Sequence, residues 1–497
     1  MRHLARSPAP VPAASTAAAR AELLLRVAVV LGVTMTFLDT TVVNVALETL
    51  ARDLHAPVSE IQYVATGYML ALAATIPLSG WTLERFGAVR VWSASLGLFG
   101  LASLLCATAW SAPALIAFRV LQGLGGGMIV PVGMTMLVRS AGGDAGRVAS
   151  LIGVPMVLGP TLGPLLGGLV IDNAPWRWIF WINIPLTIPA LLLARRALGP
   201  TERSGSGDPG PFDLLGACLL PPGLAAVVLG FAQTAEHGTV AVASAYVPLL
   251  VGAALIAAAV RHALRVPQPL IDMRLFLTAR FSAAVSVVFL AGASFFGVWL
   301  TLPLYLQVAR SESAVQTGLL MAAQGVGVAL AMPLVRRMTD RVGGGRVALL
   351  GIAISLAGTA PLTQVGGTTP FPLIALLLLV RGLGLGATMM PGMAAAYASL
   401  RPQQVPRGAS VVNALHRVGG ALGGALAAVG LQRQLQQLPL AIVGGGGGEL
   451  PGGGALAGRP HATALVAGAF AHAFWWVLVP LAIALVPALL LARGHRR

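Results

Sequence analysis

The chain has 497 residues, 57% of them hydrophobic and only 10% charged, with a mean hydropathy of +0.84, a balance that excludes an ordinary soluble domain. Its formal charge of +16 comes entirely from arginine on the basic side, since the chain contains no lysine. The arginines sit in short clusters between apolar runs, so loop orientation in a membrane accounts for the charge and nucleic acid is not an expected partner.

Residues 1–25, rich in Ala, Pro and Arg, read as a cytoplasmic tail. The apolar run behind them is too long for a signal peptide and is followed closely by others. Runs of roughly 20 apolar residues, the length a helix needs to cross a bilayer, fall at 26–47, 60–81, 91–110, 113–138, 148–171, 178–198, 213–233, 242–262, 281–305, 314–335, 347–365, 370–397, 408–430 and 463–492. They are continuous, not alternating, so the fold class is all-α integral membrane with fourteen spans, and a β-barrel is excluded. Of the 32 arginines, 24 lie in the termini and the loops on their side, five in the opposite loops (Arg52, Arg177, Arg310, Arg433, Arg459) and three within spans. The positive-inside rule then puts both termini in the cytoplasm and the protein in the cell membrane.

The first span, 26–47, carries a lone carboxylate, Asp39, inside hydrocarbon, where a charge without a partner costs several kcal/mol. Arg119 enters its own span from the opposite side. Counting about 1.5 Å per residue, Asp39 lies roughly 18 Å into its helix from the cytoplasm and Arg119 about 10 Å from the outside, so the two share a depth. Gln122 and Gly123 follow Arg119 at i+3 and i+4, on the same helical face. A carboxylate beside an arginine in a site of changing water access can switch proton affinity; a static ion pair is the alternative. Asn44 lies about 140° around the helix from Asp39 and is read as a packing residue beside Thr40. Cys106 and Cys218 both lie in apolar runs and read as small hydrophobes.

Comparison of loops exposes a repeat. Gly80-Trp-Thr-Leu-Glu84-Arg85-Phe-Gly87-Ala-Val-Arg90 and Arg337-Met-Thr-Asp340-Arg341-Val-Gly343-Gly-Gly-Arg346 share acid-Arg-x-Gly with a further Arg three residues on. Likewise Arg119-Val-Leu-Gln122-Gly-Leu-Gly resembles Arg381-Gly-Leu-Gly-Leu-Gly. The paired motifs lie 256 and 262 residues apart. Two six-helix bundles, 26–198 and 281–492, therefore flank an inserted, peripheral helix pair, 213–262, with cytoplasmic linkers at 199–212 and 263–280, a Gly-rich outer loop at 431–460 and a tail at 493–497. Internal repeats of this kind mark secondary transporters.

Leu38-Asp39-Thr-Thr-Val-Val-Asn44-Val-Ala-Leu47, with the motifs above, resembles the fourteen-span drug:proton antiporters of the major facilitator superfamily. Glu48 stands where the family has Pro. The resemblance implies a central cavity between two bundles, Asp39, Arg119 and Gln122 as proton-coupling or substrate residues, and the proton as coupling ion with no other cofactor and no metal. It implies an antiporter signature in Gly159-Pro160-Thr-Leu-Gly163-Pro164-Leu-Leu-Gly167-Gly168, whose glycines every four residues also let a neighbouring helix approach closely. It implies cytoplasmic gating by Gly80, Glu84, Arg85, Gly87, Arg90, Asp340 and Arg341. Trp176-Arg-Trp-Ile-Phe-Trp-Ile-Asn183-Ile-Pro185 is a recognition mark of the family, read as interfacial anchors and not as a site. In the second half, Arg381 and the stretch Asn413-Ala-Leu-His416-Arg417-Val-Gly-Gly supply polar groups; the family has Asn-x-x-Arg-Gln-x-Gly-Gly there, so His416 and Arg417 depart from it.

Tyr68, Phe295, Trp299, Met389 and Met390 are candidates for holding varied ligands in the cavity, with core or lipid-facing positions as the alternative. No lysine-bearing phosphate loop and no metal-spaced Cys/His set occurs, so nothing points to an enzyme. The expected function is proton-driven export of small hydrophobic or amphiphilic compounds, with a periplasmic adaptor as a partner in a host of two membranes. A dedicated exporter of one metabolite or self-made antibiotic is the alternative; an importer or a non-transporting sensor fits the motifs less well.

Overall fold

The computed structural model describes residues 16–140, 155, 159, 162–163, 166–171, 173–197, 211–438 and 460–493. Among them thirteen helices are long and apolar enough to cross a membrane. In the first half these are α1 (Arg20–Val45), α2 (Glu60–Phe86), α3 (Ala88–Ala107), α4 (Ala112–Ser140) and α5 (Trp178–Ala197). The insert supplies α6 (Leu214–His237) and α7 (Ala243–Ala263). The second half supplies α8 (Ala279–Ala309), α9 (Val315–Thr339), α10 (Gly344–Gln364), α11 (Phe371–Ala398), α12 (Val405–Leu435) and α13 (His461–Arg493). These match thirteen of the fourteen expected spans; the other, 148–171, falls largely outside the described residues, as do 199–210 of the first linker and 439–459 of the Gly-rich loop.

Proline and glycine do not stop these helices, because no water competes for their backbone groups and neighbouring helices fill the gaps. The close packing uses the glycines. In α4, a Cβ at Gly123 would meet the Tyr68 carbonyl oxygen at 2.5 Å, and one at Gly127 would meet that of Leu72 at 2.7 Å, both on α2; one at Gly125 would lie 2.8 Å from the Ser95 carbonyl on α3. In α11, Gly382 abuts the Gln324 backbone of α9 and Gly384 that of Ser355 on α10. So α4 is wedged between α2 and α3 as α11 is between α9 and α10, and the sequence repeat is a repeat of packing.

Two boundaries differ from the expected ones. The stretch 80–90 is not an open loop: after one 3₁₀ turn at Ile76–Leu78, helix resumes over Ser79–Phe86, and Gly87 alone breaks it before α3. Gly87 has φ +83° and Gly343, its counterpart after Ala314–Val342, has φ +87°. Side chains are strained there, so each half turns its corner on a single obligatory glycine. The insert, expected to be peripheral throughout, divides instead: α7 packs on α6 and leaves residues such as Leu250 65% exposed to lipid, whereas α6 also packs on α2 and α12 at the seam between the halves. Its N-cap Asp213 accepts from the Gly216 and Leu270 amides and from His262 Nε2 (2.7 Å), tying α6, α7 and the following linker together. Burial alone would raise the Asp213 carboxyl, but these donors outweigh it and hold it below its ordinary 3.8.

At the end where Gly87 and Gly343 turn their corners, the two halves touch. Glu84 on α2 takes two hydrogen bonds from Arg407 on α12, at 2.8 and 3.1 Å, and Arg407 also donates to the Pro269 carbonyl at 3.2 Å. One turn deeper, the Ser79 and Ser410 hydroxyls are 2.7 Å apart. This end of the central space is shut. In a background lacking Cys106 and Cys218, a Ser79→Cys/Ser410→Cys pair should oxidise readily in detergent-solubilised protein, since a side-chain separation this short suits a disulfide. The resulting shift on non-reducing gels should accompany a reversible block of transport.

Candidate functional site

The Asp39 carboxylate of α1, 2% exposed, is held by side chains of α4 and α5, which α2 and α3 brace in turn. Oδ2 accepts from Arg119 Nη1 of α4 at 2.6 Å; Oδ1 accepts from Gln122 Nε2 and from Asn183 Nδ2 of α5, each at 2.9 Å. Ser103 of α3 takes second bonds from Gln122 (3.2 Å) and Asn183 (2.9 Å). Arg119 Nη1 also donates to Gln122 Oε1 at 2.7 Å, its Nε donates to the Val64 carbonyl of α2 at 3.1 Å, and its Cζ lies 4.0 Å above the Tyr68 ring. The i, i+3 spacing on α4 is what lets Arg119 and Gln122 grip one carboxylate from the same face. Every oxygen of Asp39 is satisfied, which is what a charge needs to remain buried.

Asn183 and Ser103 were not singled out in the sequence. Asn183 sits inside the aromatic stretch taken as a recognition mark, and its signal was an amide in an otherwise apolar span. The anchor reading of that stretch needs correcting at Trp176, which is buried at 1% exposure and packs edge-on against Phe180; Trp178 and Trp181 are exposed.

The glycines of the 159–168 signature that are described bear on α1 around the same carboxylate. Gly159 abuts Phe37, Gly163 abuts Thr41, and Gly167 lies against Val42 and Val45; the Thr41 hydroxyl donates to the Gly159 carbonyl at 3.3 Å. Gly168 is buried, and Pro160 and Pro164 lie outside the described residues. Of the gating candidates, Gly80 abuts the Arg407 backbone and Glu84 pairs with Arg407, a residue the motif alone did not point to. Arg85, Arg90 and Arg341 are exposed, Gly87 forms the corner, and Asp340 occupies the last turn of Ala314–Val342 with its side chain outside the described set.

The second half answers Arg119 with Arg381, but without an acid. Arg381 donates to Gln324 Oε1 and, at 2.9 Å, to the Ser294 carbonyl. A guanidinium is thus held in this fold by an amide and a carbonyl alone. Asn413 donates to the Ala409 carbonyl of its own helix at 2.9 Å. His416 is buried against Gly292 and Phe296.

Arg417, one residue on, points elsewhere. Its Cζ lies 5.0 Å from the Phe37 ring, and it lines a cavity of about 260 Å³ between the halves, together with Asn44, Thr66 and Met69 of the first half, Phe231 of α6 and Phe296 of α8. None of the five expected cavity residues lines it: Tyr68 lies under Arg119, Phe295, Met389 and Met390 are buried in helix packing, and Trp299 packs against the outer core of the second half.

A duplicated all-helical bundle pair with a buried ion pair in one half and a cavity at the seam defines a membrane transporter. The family model of the Major Facilitator Superfamily matches residues 29–424 and 284–494, and the chain belongs to that superfamily. It is 40% identical over 409 residues to a "Multidrug resistance protein B homolog" of Mycobacterium tuberculosis, covering 82% of this chain and 75% of the relative. It is 30% identical over 408 residues to the "Multidrug export protein EmrB" of Haemophilus influenzae (81% and 79%), and 33% identical over 400 residues to the "Puromycin resistance protein pur8" of Streptomyces alboniger (78% and 78%). Among solved structures, the human organic anion transporter MFSD10 matches with a TM-score of 0.57 over 93% of this chain and 99% of that one, at 17% identity; that likeness shows the fold alone. The protein is a transporter of small molecules embedded in a bilayer and not an enzyme.

The cradle of Arg381 indicates how the arginine of the ion pair is tolerated when the acid is lost. Asp39→Asn leaves Arg119 with Gln122 and the Val64 carbonyl and should melt close to the wild type. Arg119→Leu strands the carboxylate and should cost about 3–5 kcal/mol, read as a lower melting temperature in detergent, with most of it recovered in the Asp39→Asn/Arg119→Leu double variant.

Proposed function

We propose that this transporter exports hydrophobic and amphiphilic compounds, drugs among them, in exchange for protons by alternating access, with both termini in the cytoplasm. The observation that carries the reading is the Asp39–Arg119–Gln122–Asn183 cluster, a titratable group with no structural duplicate among the described residues of the second half, set on the same helix that walls the cavity. The export direction is supported by the relatives' printed names and by the 159–168 glycines pressed on α1.

In this mechanism the outward-open molecule has Glu84–Arg407 and Ser79–Ser410 closed. A proton reaching Asp39 cancels the carboxylate charge and weakens its bond to Arg119, whose guanidinium then rests on Gln122 Oε1 and the Val64 carbonyl, as Arg381 rests on its own acceptors. That loosens α1 from α4 and favours the opposite state, in which the cytoplasmic contacts part and the proton leaves to the cell interior. Cargo and proton need not touch. On either side of Asp39 along α1, Asn44 lines the cavity and the Phe37 ring faces Arg417, so cargo that shifts α1 changes the fit of Asp39 in its cradle. Each ligand then favours the state the other disfavours. In a host with a second membrane, an adaptor would carry the cargo onward.

In everted vesicles energised to an acidic interior, adding amphiphiles to the wild type should collapse the gradient reported by a fluorescent pH probe for several unrelated compounds, and Asp39→Asn should abolish the response. A response to a single compound would favour the dedicated exporter, and no response to any compound would refute the proposal.

A further inference from the structure

Three arginines lie within the bundles, and the described carboxylates meet only one of them. Arg119 has Asp39; Arg381 has an amide and a carbonyl; Arg417 has no hydrogen bond or ion pair to any described residue, only the Phe37 face at 5.0 Å. Of the three, Arg417 is the one that lines the cavity, and among the described residues it is the only charged one that does so. Asn44 and Thr66 add the polar lining, and the rest is Met, Phe, Leu, Val, Ala and Gly. Successive residues on a helix point about 100° apart, so His416 turns into α8 while Arg417 turns into the seam. The Arg one position later than in the family pattern is therefore what places a cation here.

A guanidinium held in a largely apolar chamber without an acid is a strong binding feature, because charge-assisted pairing gains most where water is scarce. Phe231 and Phe296 flank the chamber with flat apolar faces, and Val228, Ala232 and Ala235 make α6 its side wall. The apolar body of a cargo would lie along α6, with its head toward α12.

We propose that this cavity selects amphiphiles bearing an anionic head group, carboxylate or sulfonate, with Arg417 as their counter-ion and α6 as the wall that receives the apolar tail. This deepens the export reading and rests on it: Arg417 selects the cargo and Asp39 handles the proton, on opposite sides of α1. It also gives the insert a part in binding.

The test is direct binding to the full-length protein in zwitterionic nanodiscs, with empty nanodiscs as blank. The probes are 11-(dansylamino)undecanoic acid and its methyl ester, which share one apolar body and differ in charge. The wild type should bind the acid about tenfold more tightly than the ester, or better, the scale of one charge-assisted hydrogen bond. Arg417→Gln should bring the acid to the level of the ester and leave the ester unchanged. Arg417→Lys should keep most of the preference, and Ala232→Trp should weaken both probes alike. Equal binding of acid and ester by the wild type, or a preference that survives Arg417→Gln, overturns the inference even if Asp39-dependent export of neutral compounds continues. If neither probe binds and no compound is exported from vesicles, the export reading falls with it.

Discussion

The pairing of Asp39 with Arg119 is the constraint around which the first half is built. The carboxylate alone is too costly for the interior of a bundle, and its contact with Arg119 at 2.6 Å requires α1 and α4 to approach closely at one depth. Gly123 and Gly127 bring α4 onto α2, so that Val64 and Tyr68 can serve Arg119; Gly159 and Gly163 fix α1 from its other side. Asn183 and Ser103 complete the shell from α5 and α3. Small residues and one ion pair are in this sense a single device: the glycines permit the approach that the charges require.

The two halves share packing but not chemistry. At the equivalent depth the second half keeps the arginine and drops the acid, using Gln324 and the Ser294 carbonyl in its place. Among the described residues the one buried carboxylate lies in the first half, and the other half shows a cradle able to hold an uncompensated guanidinium. At the seam Arg417 stands at the cavity, while Glu84 and Arg407 join the two halves at one end. The Asp39 cluster, the Arg417 cavity and the Glu84–Arg407 contact are three separate groupings, linked through α1, α2 and α12.

The spans, the repeat and the Asp39–Arg119–Gln122 set could be read from the chain because they depend on local quantities: run length, residue spacing and depth counted at a fixed rise per residue. What stayed hidden depends on long-range packing. Asn183 is 144 residues from Asp39, and Arg407 is 323 from Glu84; neither partner can be chosen without the fold. The stretch 80–90 reads as a loop because its charges resemble one, yet only Gly87 has a backbone the helix cannot accommodate. The insert reads as peripheral because both its helices are equally apolar, and composition does not distinguish a face against lipid from a face against α2 and α12. Arg417 was noted as a departure from the family pattern, but its direction relative to His416 emerged only once α8 was in place beside it.

The central claim is that Asp39 gains and loses a proton as cargo comes and goes. Difference infrared spectroscopy of the purified protein, with and without a saturating exported compound, observes this directly through the stretch of a protonated carboxyl group. The account predicts that cargo binding removes such a band in the wild type and that the change is absent in Asp39→Asn. A wild-type spectrum without any carboxyl change, or one that persists unaltered in Asp39→Asn, would contradict it.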